Sequence, residues 1–312
     1  MEQIIRAAGR EPVMRQREVG PVEYLTFPLL SAQPGITHGF STRKGGVSRD
    51  IYASMNLSFT RGDEEDRVQE NFRRMAAALG TDVGHMVCTF QTHTTNIRRV
   101  YSTDGGKGIV CERGYTDVDG LVTNEKELCL VCFFADCVPL FFVDRRNGAI
   151  GLAHAGWRGT MAGMGGCMVQ RMGQEFGTRP EDLIAAIGPS ICQNCYEVSE
   201  EVAEQFRRME AEIPDSPGLL AELEAQRVYP HTQILKPGKE EGKYQLDLWL
   251  ANLLVLRAAG IPLSRIQVTD LCTCCNPGYL FSHRASQGKR GNLAAFLMMG
   301  DREAEDPNKS HI

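Results

Sequence analysis

Three side chains of metal-binding type lie where predicted buried strands end. His93 belongs to the polar stretch that follows a predicted strand, Cys137 follows Asp136 between two apolar runs, and His154 ends a third apolar run. Imidazole and thiolate groups bind zinc, and a site with three protein ligands keeps a fourth position open for catalysis. The separations of 44 and 17 residues form no local ligand motif. A satisfied buried histidine and an inert buried cysteine therefore remain the alternatives at this point.

A second group of cysteines is a candidate for a structural metal site. Cys192 and Cys195 form a C-x-x-C pair, and Cys272, Cys274 and Cys275 form another cluster further along the chain. Two such clusters can close a four-ligand zinc site. The alternative is that these cysteines are small, mostly apolar side chains around turns.

The segment from His38 to Ser48 is predicted to bind an anion. It follows a short predicted strand and contains Ser41, Arg43 and the pair Gly45–Gly46. A guanidinium group matches the geometry of phosphate oxygens, and glycines let backbone N–H groups approach closely. A glycine-rich hairpin without a ligand is the alternative.

Two further basic segments are candidates for substrate binding. A glycine-rich turn that contains Arg158 follows the third apolar run and would direct backbone N–H groups at an anion. Arg284 belongs to a basic set with His283, Lys289 and Arg290 near the end of the chain. For this set, an exposed surface loop is the alternative.

Periodicity and apolar runs predict the elements that position these residues. Helices are expected over 64–79, about 160–176 and about 247–259, with an acidic helix after Ser199. Strands are expected over 24–30, 36–40, 86–90, 96–101, 128–134, 138–143, 149–154, 183–187 and 265–271. The three runs between 128 and 154 are nearly unbroken apolar sequence, which is typical of strands covered on both faces. These elements favour an α+β fold of mixed sheets flanked by helices.

The composition argues against several classes of function. The chain of 312 residues has 34 Lys and Arg against 39 Asp and Glu, so it lacks the basic excess that drives binding to nucleic acid or anionic membranes. Its longest apolar run, 128–143, is too short to span a bilayer, and the N-terminus has no secretory apolar run. Eleven cysteines in such a chain indicate reduced thiols and a cytoplasmic protein. We expect one domain over 1–312, a frayed tail over 301–312 and a small-molecule partner.

Eight sequence blocks occur in order along most of the chain. They are His38–Ser48, Gln91–His93, Asp119–Thr123, Ala135–Leu140, Ala153–Gly159, Ile187–Ile191, Cys195–Val198 and Phe281–Arg284. Together they resemble the family long named multicopper polyphenol oxidoreductases or laccase-domain proteins. That family is now viewed as zinc-containing purine nucleoside phosphorylases.

The resemblance implies a set of site residues and reactions. It places the metal, expected to be zinc, on His93, Cys137 and His154. It implies phosphorolysis of adenosine, inosine and S-methyl-5′-thioadenosine, together with adenosine deamination, on a layered α+β sandwich. One difference is visible, because many relatives carry a Gly-Arg pair before the last strand, whereas this chain reads Arg290-Gly291-Asn292.

Phosphorolysis sets two requirements for the site. Phosphate attacks the anomeric carbon as the glycosidic bond breaks, so the site must hold an anion and stabilise the leaving base. We expect Arg43, with Ser41 and Ser48, to hold phosphate while the metal acts at the purine end. For deamination, Asp136 beside Cys137 is a candidate proton carrier, and a cap at the strand end is its alternative role.

Three other functions would use the same residues differently. Without a metal, Cys137 could be a nucleophile with His154 or His93 as its base, as in a cysteine hydrolase or deamidase. A copper oxidase needs several copper ions, for which one three-ligand site supplies too few ligands. A nucleoside-sensing module would bind nucleosides without turnover. Metal content and product analysis separate these functions.

Overall fold

The computed structural model of the protein describes residues 4–7, 12–226 and 228–300. Its strands are β1 (Arg15–Val19), β2 (Val22–Thr26), β3 (Ile36–Ser41), β4 (Met86–Cys88), β5 (Ile97–Arg99), β6 (Gly120–Thr123), β7 (Cys129–Phe134), β8 (Val138–Asp144), β9 (Ala149–Ala155), β10 (Leu183–Ile187), β11 (Glu197–Ser199), β12 (Leu235–Pro237), β13 (Lys243–Leu246), β14 (Ile266–Val268) and β15 (Leu293–Met299). Its helices are α1 (Pro28–Ser31), α2 (Glu65–Leu79), α3 (Trp157–Met161), α4 (Met164–Phe176), α5 (Glu200–Glu212), α6 (Ser216–Gln226) and α7 (Leu248–Ala258). The tail over 301–312, predicted to fray, lies outside the described residues.

Two six-stranded mixed sheets pack face to face. The first has the strand order β1-β2-β3-β15-β7-β4, and the second has the order β14-β10-β8-β9-β6-β5. Parallel pairs occur at one edge of the first sheet and at both edges of the second. Apolar side chains fill the space between the sheets, with Phe40 and Phe134 of the first in the same cluster as Phe141 and Leu152 of the second. A smaller antiparallel sheet has the order β11-β13-β12.

Helices cover the outer faces of both large sheets. On the first sheet, Phe72 and Met75 of α2 pack in one cluster with Val131 and Phe296. On the second sheet, methionines of α4 and leucines of α7 pack in one cluster with side chains such as Leu140. The layers therefore run helix, sheet, sheet, helix. This arrangement confirms the predicted α+β fold of mixed sheets flanked by helices.

The predicted doubly covered strands have the expected burial. Every residue of β8 and β9 is buried, and side chains of β7 alternate between the two apolar layers. Cys129 and Val131 join the cluster beside α2, whereas Leu130 and Cys132 lie between the sheets. Helix α2 ends where predicted, because Gly80 adopts a left-handed conformation with φ 73°.

The structure corrects several details of the predicted elements. The strand predicted over 24–30 ends at Thr26, because Pro28 occupies the first turn of α1. The helix predicted over 160–176 is two helices, because Gly163 adopts a left-handed conformation with φ 72° between them. Strand β15 was not predicted, since it is rich in Leu, Ala and Met, which are also strong helix formers. Among the described residues, no helix is both long and apolar enough to cross a membrane.

Candidate active site

The structure brings His93, Cys137 and His154 together. Their potential ligand atoms all lie within 4.8 Å of one another. Antiparallel pairing of β8 with β9 sets His154 opposite Pro139, two residues after Cys137. His93 comes from the loop between β4 and β5. The register of β8 and β9 therefore brings Cys137 and His154 together, although they are 17 residues apart in the sequence. The loop between β4 and β5 adds His93.

Asp119 holds both histidines of this group. It lies directly before β6 and is fully buried. Its Oδ1 accepts a hydrogen bond from His154 Nδ1 at 2.8 Å and from the His93 backbone N–H at 3.1 Å. Its Oδ2 accepts from the backbone N–H groups of Thr92 and Thr94, each at 3.0 Å. A carboxylate that fixes a ligand histidine through its second ring nitrogen is a common feature of metal sites.

The charges around the three ligands favour a bound cation. Although burial opposes the imidazolium form, Cys137 and Asp119 outweigh this effect and raise the pKa of His154 to about 9. Burial also opposes ionisation of Asp119, but hydrogen bonds from His154 and the neighbouring backbone keep its pKa below the usual value. Burial, with the nearby charges of His154 and Arg158, lowers the pKa of His93, which keeps its imidazole neutral. A buried carboxylate, a thiol and a neutral imidazole in one place suit a divalent metal.

Gly156 allows the ligands to approach the turn after β9. A Cβ atom at this position would lie 2.7 Å from His93 Nδ1 and 3.2 Å from Cys137 Sγ. The first distance is shorter than a van der Waals contact, so any larger residue would displace a ligand side chain. The space requirement explains why the turn after His154 starts with glycine.

A cavity of about 290 Å³ opens beside the three ligands. Its walls are aromatic on several sides and also carry basic groups. The lining includes Phe59, Phe90, Phe133, Phe134, Arg61, Arg113, Arg290 and Asn292, together with His93, Cys137 and His154. Aromatic walls with convergent polar groups are typical of small-molecule sites.

Arg290 is the buried basic group of this cavity. Only 8% of its surface is exposed, and its Nη1 donates to the carbonyl oxygen of Gly291 and to Asn292 Oδ1. Its Nε has no hydrogen-bond partner within the described part of the chain. Burial, with the nearby charge of Arg61, lowers the pKa of Arg290 to about 10. Because Arg290 is buried, the surface-loop alternative is wrong for this residue. A buried guanidinium with a free donor can bind an anion.

The structure does not bring Arg43 to the cavity. Its Nε donates to the carbonyl oxygen of Ala53 at 2.8 Å, and its Nη1 donates to that of Pro277 at 2.6 Å. The guanidinium also lies 4.5 Å from the ring centroid of Phe281. These contacts tie two loops together, and Arg43 is absent from the residues that line the cavity.

The other members of the predicted anion segment also make internal contacts. Ser41 Oγ accepts from the backbone N–H of Ala294, and Ser48 Oγ donates to Asp63. His38 Nε2 accepts from the backbone N–H of Phe27, inside the apolar core. None of these three side chains lines the cavity. The alternative of a glycine-rich loop without a ligand describes this segment better.

Arg158 and Arg284 lie at the periphery of the ligand group. Arg158 is exposed, and its guanidinium lies 4.2 Å from the ring centroid of Trp157. Arg284 donates to the carbonyl oxygens of Cys195 and Glu197. Neither arginine lines the cavity.

Asp136 is held on both carboxylate oxygens. Its Oδ1 accepts from Thr273 Oγ1 at 2.6 Å, and its Oδ2 accepts from the backbone N–H of Arg284 at 2.7 Å. Its backbone has a positive φ of 88° at the turn before Cys137. These contacts favour the alternative role of Asp136 as a cap that shapes this turn.

Sequence reasoning missed Asp119, Gln91 and Gly156 as individual site residues. Gln91 Oε1 accepts from the backbone N–H of Phe133 at 2.7 Å, and its Nε2 donates to the Phe133 carbonyl at 2.7 Å. It thereby ties the His93 loop to the end of β7. All three residues lie within the sequence blocks that carry the family resemblance, and these blocks are the sequence feature that could have identified them.

Known proteins share this chain's sequence features and fold. The profile of the family described as multi-copper polyphenol oxidoreductase laccase matches residues 37–300. A purine nucleoside phosphorylase, YlmD of Geobacillus stearothermophilus, is 38% identical over 264 residues, which are 84% of this chain and 90% of that protein. The crystal structure of YlmD from the same organism matches with a TM-score of 0.79 and 34% identity, covering 93% of this chain and 100% of that chain. An adenosine deaminase, RL5 of an unknown prokaryotic organism, is 33% identical over 247 residues, which are 78% of this chain and 87% of that protein.

Proposed function

The chain belongs to the multi-copper polyphenol oxidoreductase laccase family, as its sequence blocks predicted, and we propose that it is a zinc-dependent purine nucleoside phosphorylase. The observation that carries the proposal is the meeting of His93, Cys137 and His154 at one cavity that also holds Arg290. The relatives named purine nucleoside phosphorylase support the reaction.

The donor set supports zinc as the metal. Two imidazole nitrogens and one thiolate would hold the ion, and the fourth position would face the cavity. Oxidases with several copper ions need several histidine-rich sites. In the described ranges, potential metal-ligand groups are this one and a cluster of four cysteines, so histidine ligands occur in a single place.

The cavity supplies complementary surfaces for both substrates. A purine is a flat aromatic system, and side chains such as Phe90 and Phe133 offer rings against which it can stack. Phosphate is an anion, and Arg290 and Arg61 bring two guanidinium groups to the same cavity. We therefore assign phosphate binding to these two arginines instead of Arg43.

The proposed reaction transfers the sugar from the base to phosphate. A phosphate oxygen forms a bond to C1′ of the ribose, the bond from C1′ to the purine nitrogen breaks, and its electron pair leaves with the base. A zinc ion at the three ligands would supply Lewis-acid stabilisation at the purine end. Arg290 would hold the attacking phosphate, and Asp119 would keep His154 in the orientation that ligation requires.

Adenosine deamination is the second candidate function. The relative named adenosine deaminase RL5 favours it, because the deaminase and the phosphorylases belong to the same set of relatives. Deamination needs water at the purine carbon that carries the amino group, and it does not need phosphate. Both reactions would use the same metal ligands, so one protein could catalyse both.

Product analysis tests the proposal. Metal-quantified protein is incubated with adenosine, inosine or S-methyl-5′-thioadenosine, with and without phosphate, and the bases and nucleosides are separated by chromatography. We expect free base and the matching ribose 1-phosphate only when phosphate is present, and inosine from adenosine without phosphate. Free base that forms at the same rate without phosphate would overturn the phosphorylase assignment.

Metal removal separates the proposal from a cysteine hydrolase. We expect chelation of the metal to abolish turnover and added zinc to restore it. Turnover that survives metal removal but disappears in Cys137→Ser would instead support a nucleophilic cysteine. Nucleoside binding without any product would support a sensing module.

A further inference from the structure

A second group of potential metal ligands lies outside the proposed active site. Its four members, the four-cysteine cluster, are Cys192, Cys195, Cys272 and Cys275. Their Sγ atoms all lie within 4.8 Å of one another, with 3.5 Å between Cys195 and Cys275 and 3.9 Å between Cys192 and Cys275. All four are free thiols.

The sulfur separations match a tetrahedral metal site. Four sulfurs at Zn–S distances of about 2.3 Å lie about 3.8 Å apart at the corners of a tetrahedron. The S–S bond of a disulfide is much shorter, at about 2.05 Å. The observed spacing therefore leaves room for an ion at the centre of the cluster.

The sequence places the cysteines in two pairs, and the sheet topology brings the two pairs together. Cys192 and Cys195 are three residues apart, as are Cys272 and Cys275, which is the spacing of a zinc ribbon. The two segments follow β10 and β14, which are parallel neighbours in the second sheet, so they leave the sheet at the same edge. An isolated parallel β-bridge between the backbones of Ser190 and Cys272 keeps the two segments aligned beyond the strands.

The backbone around the cluster is arranged to stabilise a thiolate. The backbone N–H groups of Cys192 and Cys275 both donate to Cys272 Sγ, at 3.2 Å and 3.4 Å. Hydrogen bonds to ligand atoms are a regular feature of metal sites and orient the ligands. Cys192 and Cys272 are buried, whereas Cys195 and Cys275 are half-buried. Burying several unpaired thiolates would be unfavourable, and a divalent ion would compensate their charge.

We propose that Cys192, Cys195, Cys272 and Cys275 bind a second zinc ion, with a structural role. Four protein ligands leave no open position, which is typical of structural and not of catalytic zinc. This site is separate from the one formed by His93, Cys137 and His154.

The second zinc would also order the turn that carries Cys137. The segment between Cys272 and Cys275 contains Thr273, whose hydroxyl holds Asp136 at 2.6 Å. Asp136 in turn precedes Cys137 at the turn that presents its thiol. Fixing this segment with a metal therefore fixes the turn that carries one active-site ligand.

Zinc content tests the proposal. The protein is produced in zinc-sufficient cells, purified under reducing conditions and analysed by elemental mass spectrometry. We expect about two zinc ions per chain in the wild type and about one in Cys192→Ser/Cys275→Ser. A cysteine variant that keeps as many zinc ions per chain as the wild type would overturn the proposal, whatever the occupancy of the other site.

Cys274→Ser is the matched control. Cys274 lies between two of the ligands but is not a member of the cluster. We expect Cys274→Ser to keep about two zinc ions per chain. Loss of one ion from Cys274→Ser would show that the assigned ligand set is wrong.

Cobalt substitution tests the same site without altering it. His93→Ala/Cys137→Ala removes two ligands of the active site and leaves the four cysteines intact. We expect this variant to bind about one Co²⁺ per chain with the intense visible and charge-transfer bands of tetrahedral thiolate coordination. Absence of these bands, or pairing of the four cysteines as disulfides in the reduced preparation, would overturn the proposal. Because the measurement involves no nucleoside, it does not depend on the proposed activity.

Discussion

His154 Nδ1 donates a hydrogen bond of 2.8 Å to Asp119 Oδ1, so Nε2 is the ring nitrogen that remains for a metal. Asp119→Asn should weaken the hydrogen bond that orients the His154 ring, without removing any metal ligand. We expect the zinc affinity of the active site to fall about 10- to 100-fold. Competition with a chromophoric chelator measures the affinity.

Asp117→Asn is the control for that prediction. Asp117 lies in the same loop, is exposed and accepts from the Thr92 hydroxyl at 2.8 Å, but it does not contact a ligand histidine side chain. We expect Asp117→Asn to leave the affinity near the wild-type value. Equal losses in both variants would mean that loop stability, and not the contact with His154, determines metal binding.

Gly156→Ala should disturb the metal ligands directly. The added methyl group would meet His93 Nδ1 at 2.7 Å and Cys137 Sγ at 3.2 Å. We expect clear loss of zinc from the active site, measured by elemental analysis after dialysis. At Gly166 in α4, an added Cβ atom meets nothing within 4 Å. Gly166→Ala should keep its zinc and gain about 0.5 to 1 kcal/mol of stability from the lower flexibility of the unfolded chain. Full zinc occupancy in Gly156→Ala would contradict the close approach of Gly156 to His93 and Cys137.

Substitutions of Arg290 and Arg43 should have different effects, the first on phosphate binding and the second on stability. Arg290→Met should raise the KM for phosphate or lower the phosphate-dependent rate by about tenfold to a hundredfold, because a hydrogen bond to a charged group contributes about 1.5 to 3 kcal/mol. Adenosine deamination, which needs no phosphate, should change much less. Arg43→Met should lower the melting temperature, since it loses contacts with the carbonyl groups of Ala53 and Pro277. An increase in the phosphate KM in Arg43→Met alone would restore the interpretation of the loop as a phosphate cradle.

The sequence predicted the layers of the fold but not the walls of the cavity. Strands β7, β8 and β9 were predictable because each is a nearly continuous apolar run buried on both faces. Strand β6 was missed because Gly120–Thr123 is short and contains glycine, and its pairing with β9 defines it. Such pairing is a property of the tertiary structure and leaves little signal in a short segment.

The structure brings the predicted metal ligands together, but it does not place Arg43 at the cavity. His93, Cys137 and His154 belong to recognisable blocks, and the structure brings them together. The type and spacing of Arg43 resembled an anion loop, but its guanidinium is satisfied by backbone carbonyl groups. Burial and hydrogen-bond partners decide which arginine faces the cavity, and neither can be inferred from composition.

His38 should make the protein less stable as the pH falls below neutral. Burial, followed by the charge of Arg17, lowers the pKa of His38 to about 3, whereas an unfolded histidine has a pKa near 6.5. Below about pH 6.5 the unfolded state therefore binds a proton that the folded state does not bind, and stability is lost. Between pH 7 and pH 5, this difference amounts to about 2 kcal/mol of unfolding free energy.

His38→Gln provides the comparison, because glutamine does not titrate and offers an oxygen to the backbone N–H of Phe27. Urea denaturation of both proteins at pH 7 and pH 5 measures the effect. We expect the wild type to lose more stability than the variant over this range. Parallel losses would show that His38 is protonated in the folded protein or does not contribute.

We expect phosphorolysis to occur at the site of His93, Cys137 and His154. Its most direct test is ³¹P NMR of inosine and phosphate incubated with metal-free protein, before and after zinc is added, beside His154→Ala treated in the same way. We predict a ribose 1-phosphate signal only from the wild type with zinc, accompanied by stoichiometric hypoxanthine. Ribose 1-phosphate that forms at an equal rate with the metal-free wild type or with His154→Ala would contradict phosphorolysis at this site. So would a zinc-loaded wild type that forms no ribose 1-phosphate from inosine or adenosine and no 5-methylthioribose 1-phosphate from S-methyl-5′-thioadenosine.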